Sequence, residues 1–173
     1  MPAIPAKDAL TGLLSRRGLA SRLKDQASGG ALLFLDVDAL AYANHTLGPP
    51  AVDLLLVRWA LELKDCLPPH GFIGRLSSDE FLAYVPDAAT AAADVAEQMR
   101  SRTERTWASA RRRVHVEAGD WLRPLPENLL TVSVGIAHWN ASFAAAVRAA
   151  ETACHEAKRT GRNRVVIADW TPK

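Results

Sequence analysis

"FIGRLSSDEFLAYV", Phe72 to Val85, decides how this chain folds. Strand-forming residues run up to Leu76 and resume after Ser77-Ser78. The pattern predicts two antiparallel strands joined by a hairpin with a two-residue loop. Glycine suits such loops, because it takes positive φ cheaply and leaves room for a close approach. Left-handed backbone costs any other residue roughly 1–2 kcal/mol. Ser77 and Ser78 therefore imply either a strained turn or a turn of a different kind. Asp79 and Glu80 follow at once, and acids in such a place need water, a partner or a cation.

Upstream, "ALLFLDVDAL" holds a short apolar run, Ala31 to Leu35, of the length and character of a buried strand. It leads into Asp36-Val37-Asp38, a second set of acids at a strand end. Around these strands the helical periods are plain. "RRGLASRLKDQ" is helical and stops at Ser28-Gly29-Gly30. Pro49-Pro50 opens the helix of "AVDLLLVRWALELKDCL", and Pro68-Pro69 closes it. After Pro86, Asp87 is a good N-cap for the alanine-rich stretch that reaches Trp107. "RRRVHVEA" alternates as a strand does, and "GDWLRPLPEN" reads as a loop. "LLTVSVGIAHW" is a strand, "SFAAAVRAAETACHEAKRTG" a helix capped by Ser142 and stopped by Gly161, and "NRVVIAD" a last strand. The order α-β-α-α-β-β-α-(β)-β-α-β predicts one mixed α/β (α+β) domain over residues 1–173, its sheet covered by helices.

The 173 residues carry a net charge of +2, which gives no whole-molecule case for nucleic acid or membrane binding. No apolar run approaches the length of a membrane span. The first residues, "MPAIPAKDALTGL", lack the apolar core of a secretion signal, so the expected location is cytoplasmic. Cys66 and Cys154 are far apart, which favours reduced core thiols over a disulfide or zinc site. The five histidines show no metal spacing. Arg100, Arg102, Arg105 and Arg111 to Arg113 read as a solvated face, and the tryptophans as core.

Clustered carboxylates can hold Mg²⁺ against phosphate oxygens. Spacing alone leaves open whether the acids at 36–38 and 79–80 meet, or stand separately on a wet edge. A resemblance bears on that choice. "DALTGLLSRRGL", "DVDALAYANHTLGPPAVD", "RLSSDEF", "TVSVGIA" and "AETACHEAKRTGRNRV" resemble, in order and in register, the motifs of the GGDEF family of diguanylate cyclases. The likeness runs from Asp8 to about Val166. It implies a palm-like fold akin to nucleotide cyclases, with a central, mostly antiparallel sheet flanked by helices. It also implies a reaction: two domains, each holding GTP and Mg²⁺, face each other and close cyclic di-GMP with loss of pyrophosphate.

Carried over by position, the resemblance gives Asp36, the Val37 carbonyl and Asp79 to the metal, and Glu80 to the catalytic position. Asn44 and Asp53 would read the guanine. Lys158 and Arg162 would hold the terminal phosphates. Leu40, Ala41, Ser77 and Ser78 occupy nucleotide-facing positions where the family has Phe, Lys, Gly and Gly. Ala41 removes a phosphate-side cation, and the serines add atoms where base and sugar should pass. His45, Pro49, Val52 and His155 are further departures. The family's inhibitory product site is expected to be absent, because Pro68-Pro69-His70-Gly71 stands where it has R-x-x-D. The expected function is a degenerate domain in cyclic di-GMP signalling, with weak or no cyclase activity. It would keep a GTP/Mg²⁺ site or act through a partner, as a homodimer or as a heterodimer with another signalling domain. A working cyclase that tolerates serine, and an interaction scaffold without nucleotide, are the alternatives.

Overall fold

All seven residues of β2 (Ala31–Val37) are buried, and the sheet is built around that strand. A computed structural model describes residues 6–26, 29–86, 89–118, 129–139 and 142–168, with the side chains of 89, 90 and 110–118 outside the description. On one side β2 pairs antiparallel with β4 (Glu80–Val85), from Ala31 opposite Val85 to Asp36 opposite Glu80. On the other it pairs antiparallel with β5 (Val132–His138), from Ala31 opposite His138 to Val37 opposite Val132. β3 (Phe72–Arg75) lies antiparallel to β4. β1 (Leu14–Ser15) and β6 (Val165–Ile167) add parallel edges, giving the order β1-β3-β4-β2-β5-β6. The mostly antiparallel sheet matches the sequence expectation.

Both faces of the sheet are covered, which is why β2 reads as a continuous apolar run rather than an alternating one. On one face Leu33, Leu35, Phe81 and Val134 pack with Leu56, Trp59 and Leu63 of α3 (Pro49–Asp65) and Met99 of α4 (Ala89–Ala118). On the other, Leu32, Phe34, Leu82 and Tyr84 meet Leu19 and Leu23 of α1 (Arg16–Lys24) and Ala146, Ala150 and Cys154 of α5 (Phe143–Arg159). Both cysteines are buried and free, as expected, and burial pushes the Cys154 thiol up to about 12.

The seat of α5 depends on one glycine. A Cβ on Gly135 would stand 2.0 Å from the Ala150 carbonyl oxygen and 2.3 Å from the Cys154 amide nitrogen. Only a bare backbone there, facing the small side chains of Ala146, Ala150, Ala153 and Ala157, lets α5 lie directly on β5. The helix starts where the serine predicts, with Ser142 Oγ accepting from the Ala145 amide. Close seating of α5 carries Lys158, in its last turn, to the end of β2.

Two expectations need correction, and one strand has no signal in the sequence. The hairpin loop holds three residues, not two. Arg75 pairs with Phe81, the Leu76 amide donates to the Glu80 carbonyl, and Ser77, Ser78 and Asp79 lie between. Residues 111–118, expected as a strand, continue α4 as helix. The alternation of "VHV" is too short to outweigh a helix already nucleated by the alanine- and arginine-rich turns before it. β1 was not foreseen, because two residues carry no period. Asp87, Ser28, the expected loop of residues 119–128 and Trp170 lie outside the described residues.

Candidate functional site

The acids meet at one end of the central strands. Asp36 is the last residue of β2 to pair with β4, and its partner there is Glu80. The hairpin tip folds back on the same end, with the Val37 amide donating to the Asp79 carbonyl at 3.0 Å. Lys158 reaches in from α5 and places its Nζ 2.6 Å from Asp36 Oδ2. Asp36, Val37, Asp79 and Lys158 thus meet at this end of the sheet, with Glu80 opposite Asp36 on the β2–β4 ladder.

Asp36 and Asp38 share a face of the chain and differ in environment. Asp38 is fully buried and satisfied. Its Oδ2 accepts from the Thr131 hydroxyl at 2.8 Å and the Asn163 amide at 3.2 Å, and its Oδ1 accepts from the Ser133 hydroxyl at 2.8 Å. Asp36 is 5% exposed, and its Oδ1 has no hydrogen-bond partner. Burial pushes the Asp36 carboxyl above the ordinary carboxylate range. The Asp79 and Asp38 charges push the same way, and Lys158 pulls against them. An ionised Asp36 is therefore short of positive charge.

The serines are not strained. Neither adopts left-handed backbone, unlike Ala39 at φ 57°, which turns the chain from β2 into α2 (Leu40–Leu47). Arg75 holds the loop from outside, with Nε donating to the Ser77 carbonyl at 2.9 Å and Nη2 to the Ser78 carbonyl at 2.7 Å. Asp8 backs Arg75 at 3.4 Å. The hydroxyls turn toward the acids. Ser77 Oγ lies 3.2 Å from Asp79 Oδ1 and 2.9 Å from Glu80 Oε2, and Ser78 Oγ donates to Asp79 Oδ1 at 2.9 Å.

The other expected nucleotide positions are more dispersed. Asn44 is half-buried on α2, and Asp53 is exposed near the start of α3. Among the described residues neither side chain hydrogen-bonds or ion-pairs with the acids. Ala41 is exposed, and Leu40 is 5% exposed and packed in the core under the site. Arg162 is exposed just beyond α5 in left-handed backbone, φ 60°, with Asn163 beside it at φ 46°. Asn163 is tied down by Arg100 Nη1 at 2.9 Å on its side-chain oxygen, while its own amide group donates to Glu104 at 3.1 Å. Arg100 is therefore part of a tie between α4 and this turn, not the solvated residue expected. Thr131, Ser133 and Asn163 were missed as site supports, since nothing in their local sequence points to Asp38.

The donors suit a hard cation. Mg²⁺ takes oxygen ligands, and Asp36 offers a buried carboxylate oxygen that nothing else satisfies. Among the described residues no group of three His, Cys, Asp or Glu side chains is already gathered as a metal cage.

Residues 6–164 match the family described as "Diguanylate cyclase, GGDEF domain". The chain is 28% identical over 170 residues to diguanylate cyclase DosC of Escherichia coli, covering 92% of this chain and 34% of that protein. A microbial GGDEF domain solved for its interaction with cyclic di-GMP is 29% identical, with TM-score 0.72, covering 94% of this chain and 96% of that one. Diguanylate cyclase SiaD of Pseudomonas aeruginosa, solved with its activator SiaC, is also 29% identical, with TM-score 0.73, covering 94% of this chain and 61% of that one. The chain spans 16% of the length of the first curated relatives it matches. Among the described residues no helix is long and apolar enough to cross a membrane.

Proposed function

We propose, from the premise that this chain belongs to the GGDEF domain family of diguanylate cyclases, that it is a receptor for GTP with Mg²⁺ in cyclic di-GMP signalling whose own cyclase step is weak or lost. The observation that carries this reading is the buried, unpartnered Oδ1 of Asp36. A site retired from cation binding gains nothing by keeping that oxygen bare, since an unpaired buried acceptor costs roughly 1–3 kcal/mol.

In this reading Asp36, the Val37 carbonyl and Asp79 hold the Mg²⁺, which supplies charge neutralisation for the phosphates when bound. Lys158 is the exchangeable partner of Asp36. Its side chain is 27% exposed, and its flexible stem lets the ammonium move between the carboxylate and a phosphate oxygen. Arg162 supplies a second phosphate contact. Asn44 offers guanine a donor and an acceptor, and Asp53 accepts from its N–H groups. Glu80 takes the position of base or second cation ligand. Reduced turnover follows from Ala41, which brings no cation, and from serine hydroxyls bonded to the two acids that the reaction needs. A single domain cannot close the ring, so a second copy or another signalling domain is the expected partner.

The test is a calorimetric titration with GTP and Mg²⁺, with Asp36→Ala as control, followed by an assay for cyclic di-GMP at protein concentrations that force dimers. Binding lost in the variant, with little or no product, is the expected result. Ready product formation would replace this reading with that of a working cyclase, which the unstrained serines permit. No GTP binding would remove both and leave the scaffold.

A further inference from the structure

We infer that Ser77, assisted by Ser78, sets the cation affinity of this site by acting as an internal competitor for the hairpin carboxylates. The inference rests on the reading of Asp36 and Asp79 as cation ligands. Ser77 Oγ stands within hydrogen-bond distance of Asp79 Oδ1, 3.2 Å, and Glu80 Oε2, 2.9 Å. A hydroxyl carries one proton, so the two carboxylates share a single donor. Ser78 adds a second donor to the same Asp79 oxygen at 2.9 Å. Hydrogen bonds to an ionised acceptor are about twice as strong as neutral ones. Both bonds fall on Asp79 Oδ1, so a cation either displaces them there or binds through Oδ2 to a carboxylate whose charge they have already drawn on.

The arrangement is held in place rather than incidental. Arg75 fixes both serine carbonyls, and its guanidinium lies over the Phe81 ring, 5.8 Å from the centroid. Asp8 holds Arg75, and is itself fixed by the Thr11 amide at 2.8 Å and the Thr11 hydroxyl at 2.6 Å. With the backbone clamped from outside and no left-handed residue at the tip, the hydroxyls stay aimed at the acids. Glycine at these positions would bring no donor, and the carboxylates would be free for the cation. The serines thus leave the hairpin intact while lowering the hold of Asp79 and Glu80 on a metal.

The experiment is Mn²⁺ binding without nucleotide, followed by electron paramagnetic resonance of the free ion. It compares the wild-type chain, Ser77→Ala, Ser78→Ala, Ser77→Thr and Asp36→Ala. Mn²⁺ stands in for Mg²⁺ because it prefers the same oxygen ligands and binds them more tightly. Ser77→Ala is expected to tighten Mn²⁺ about tenfold and Ser78→Ala less, while Ser77→Thr, which keeps the hydroxyl, returns to the wild-type value. Unchanged or weaker affinity in Ser77→Ala, with Asp36→Ala still abolishing binding, would overturn the inference and leave the cation site standing. No Mn²⁺ binding in any variant, including Ser77→Ala, would overturn both.

Discussion

Asp36 and Asp38 are two residues apart, and their surroundings give them opposite tasks. Asp38 looks into the turn after α5 and the start of β5, where two hydroxyls and an amide fill its oxygens. Its charge is used up in joining three parts of the chain. Asp36 looks toward the hairpin and the last turn of α5, with one oxygen on Lys158 and the other bare. One acid is satisfied by the fold, and the other keeps a buried oxygen without a hydrogen-bond partner, which the proposed function assigns to a ligand. The difference comes from partners brought in over long sequence distances, not from the strand that carries both.

The largest effect should come from Asp38→Ala. It removes the acceptor that the buried Ser133 hydroxyl and the Asn163 backbone amide use and breaks the bond from the Thr131 hydroxyl, so a loss of about 3 kcal/mol is expected. Urea unfolding would show it as a lower midpoint at constant slope, and an unchanged midpoint would erase the contrast between the two acids. Next comes Gly135→Ala, whose Cβ would press on the α5 backbone at 2.0 Å. A loss of about 2 kcal/mol is expected from overpacking, together with weaker GTP binding as Lys158 is displaced. Asp36→Ala should leave stability within about 1 kcal/mol of wild type, because removing a bare buried oxygen offsets the loss of the Lys158 pair. A collapse of that variant on a par with Asp38→Ala would place Asp36 among the structural acids.

The smallest effect is a difference in the sign of pH dependence. Burial, with the Asp79 and Asp38 charges, raises the folded-state pKa of Asp36 above 3.8. Between 3.8 and that raised value the folded state binds the extra proton, so stability falls as pH rises through the window. Asp8 runs the other way. Burial alone would raise it, but the Thr11 hydroxyl and amide and the Arg75 charge outweigh burial and lower it. Its contribution is present above 3.8 and is lost as pH falls through its lowered value. Wild type minus Asp36→Ala should therefore gain stability on acidification, and wild type minus Asp8→Ala should lose it. Parallel profiles would mean that Asp36 is not short of positive charge.

The sequence made local structure legible wherever a period or a cap was long enough to read. The strand at Ala31, the helix after Pro49-Pro50, the Ser142 cap and the paired strands around Ser77-Ser78 all stand where their residues place them. Local reading failed where the deciding force was not local. Val114-His115-Val116 alternates like a strand, yet it continues a helix that its neighbours had already formed. A loop count of two became three because register is fixed by the β3–β4 ladder, not by the dipeptide at the tip. The motif points to Asp36 as a site residue, but the tie between Asp38 and Thr131, Ser133 and Asn163 spans 93 to 125 residues of sequence. The turn at the serines was not legible either, because the aim of their hydroxyls depends on the Arg75 clamp and on a tip without left-handed backbone.

The most direct measurement of the central claim is the stabilisation that GTP with Mg²⁺ gives to wild type and to Asp36→Asn, read from urea midpoints. A ligand at about a hundredfold excess over its dissociation constant should stabilise the wild-type chain by about 2.7 kcal/mol. The variant, still folded, should show no shift. Equal shifts in both proteins would contradict the account, because the bare oxygen of Asp36 would then have no part in holding the ligand.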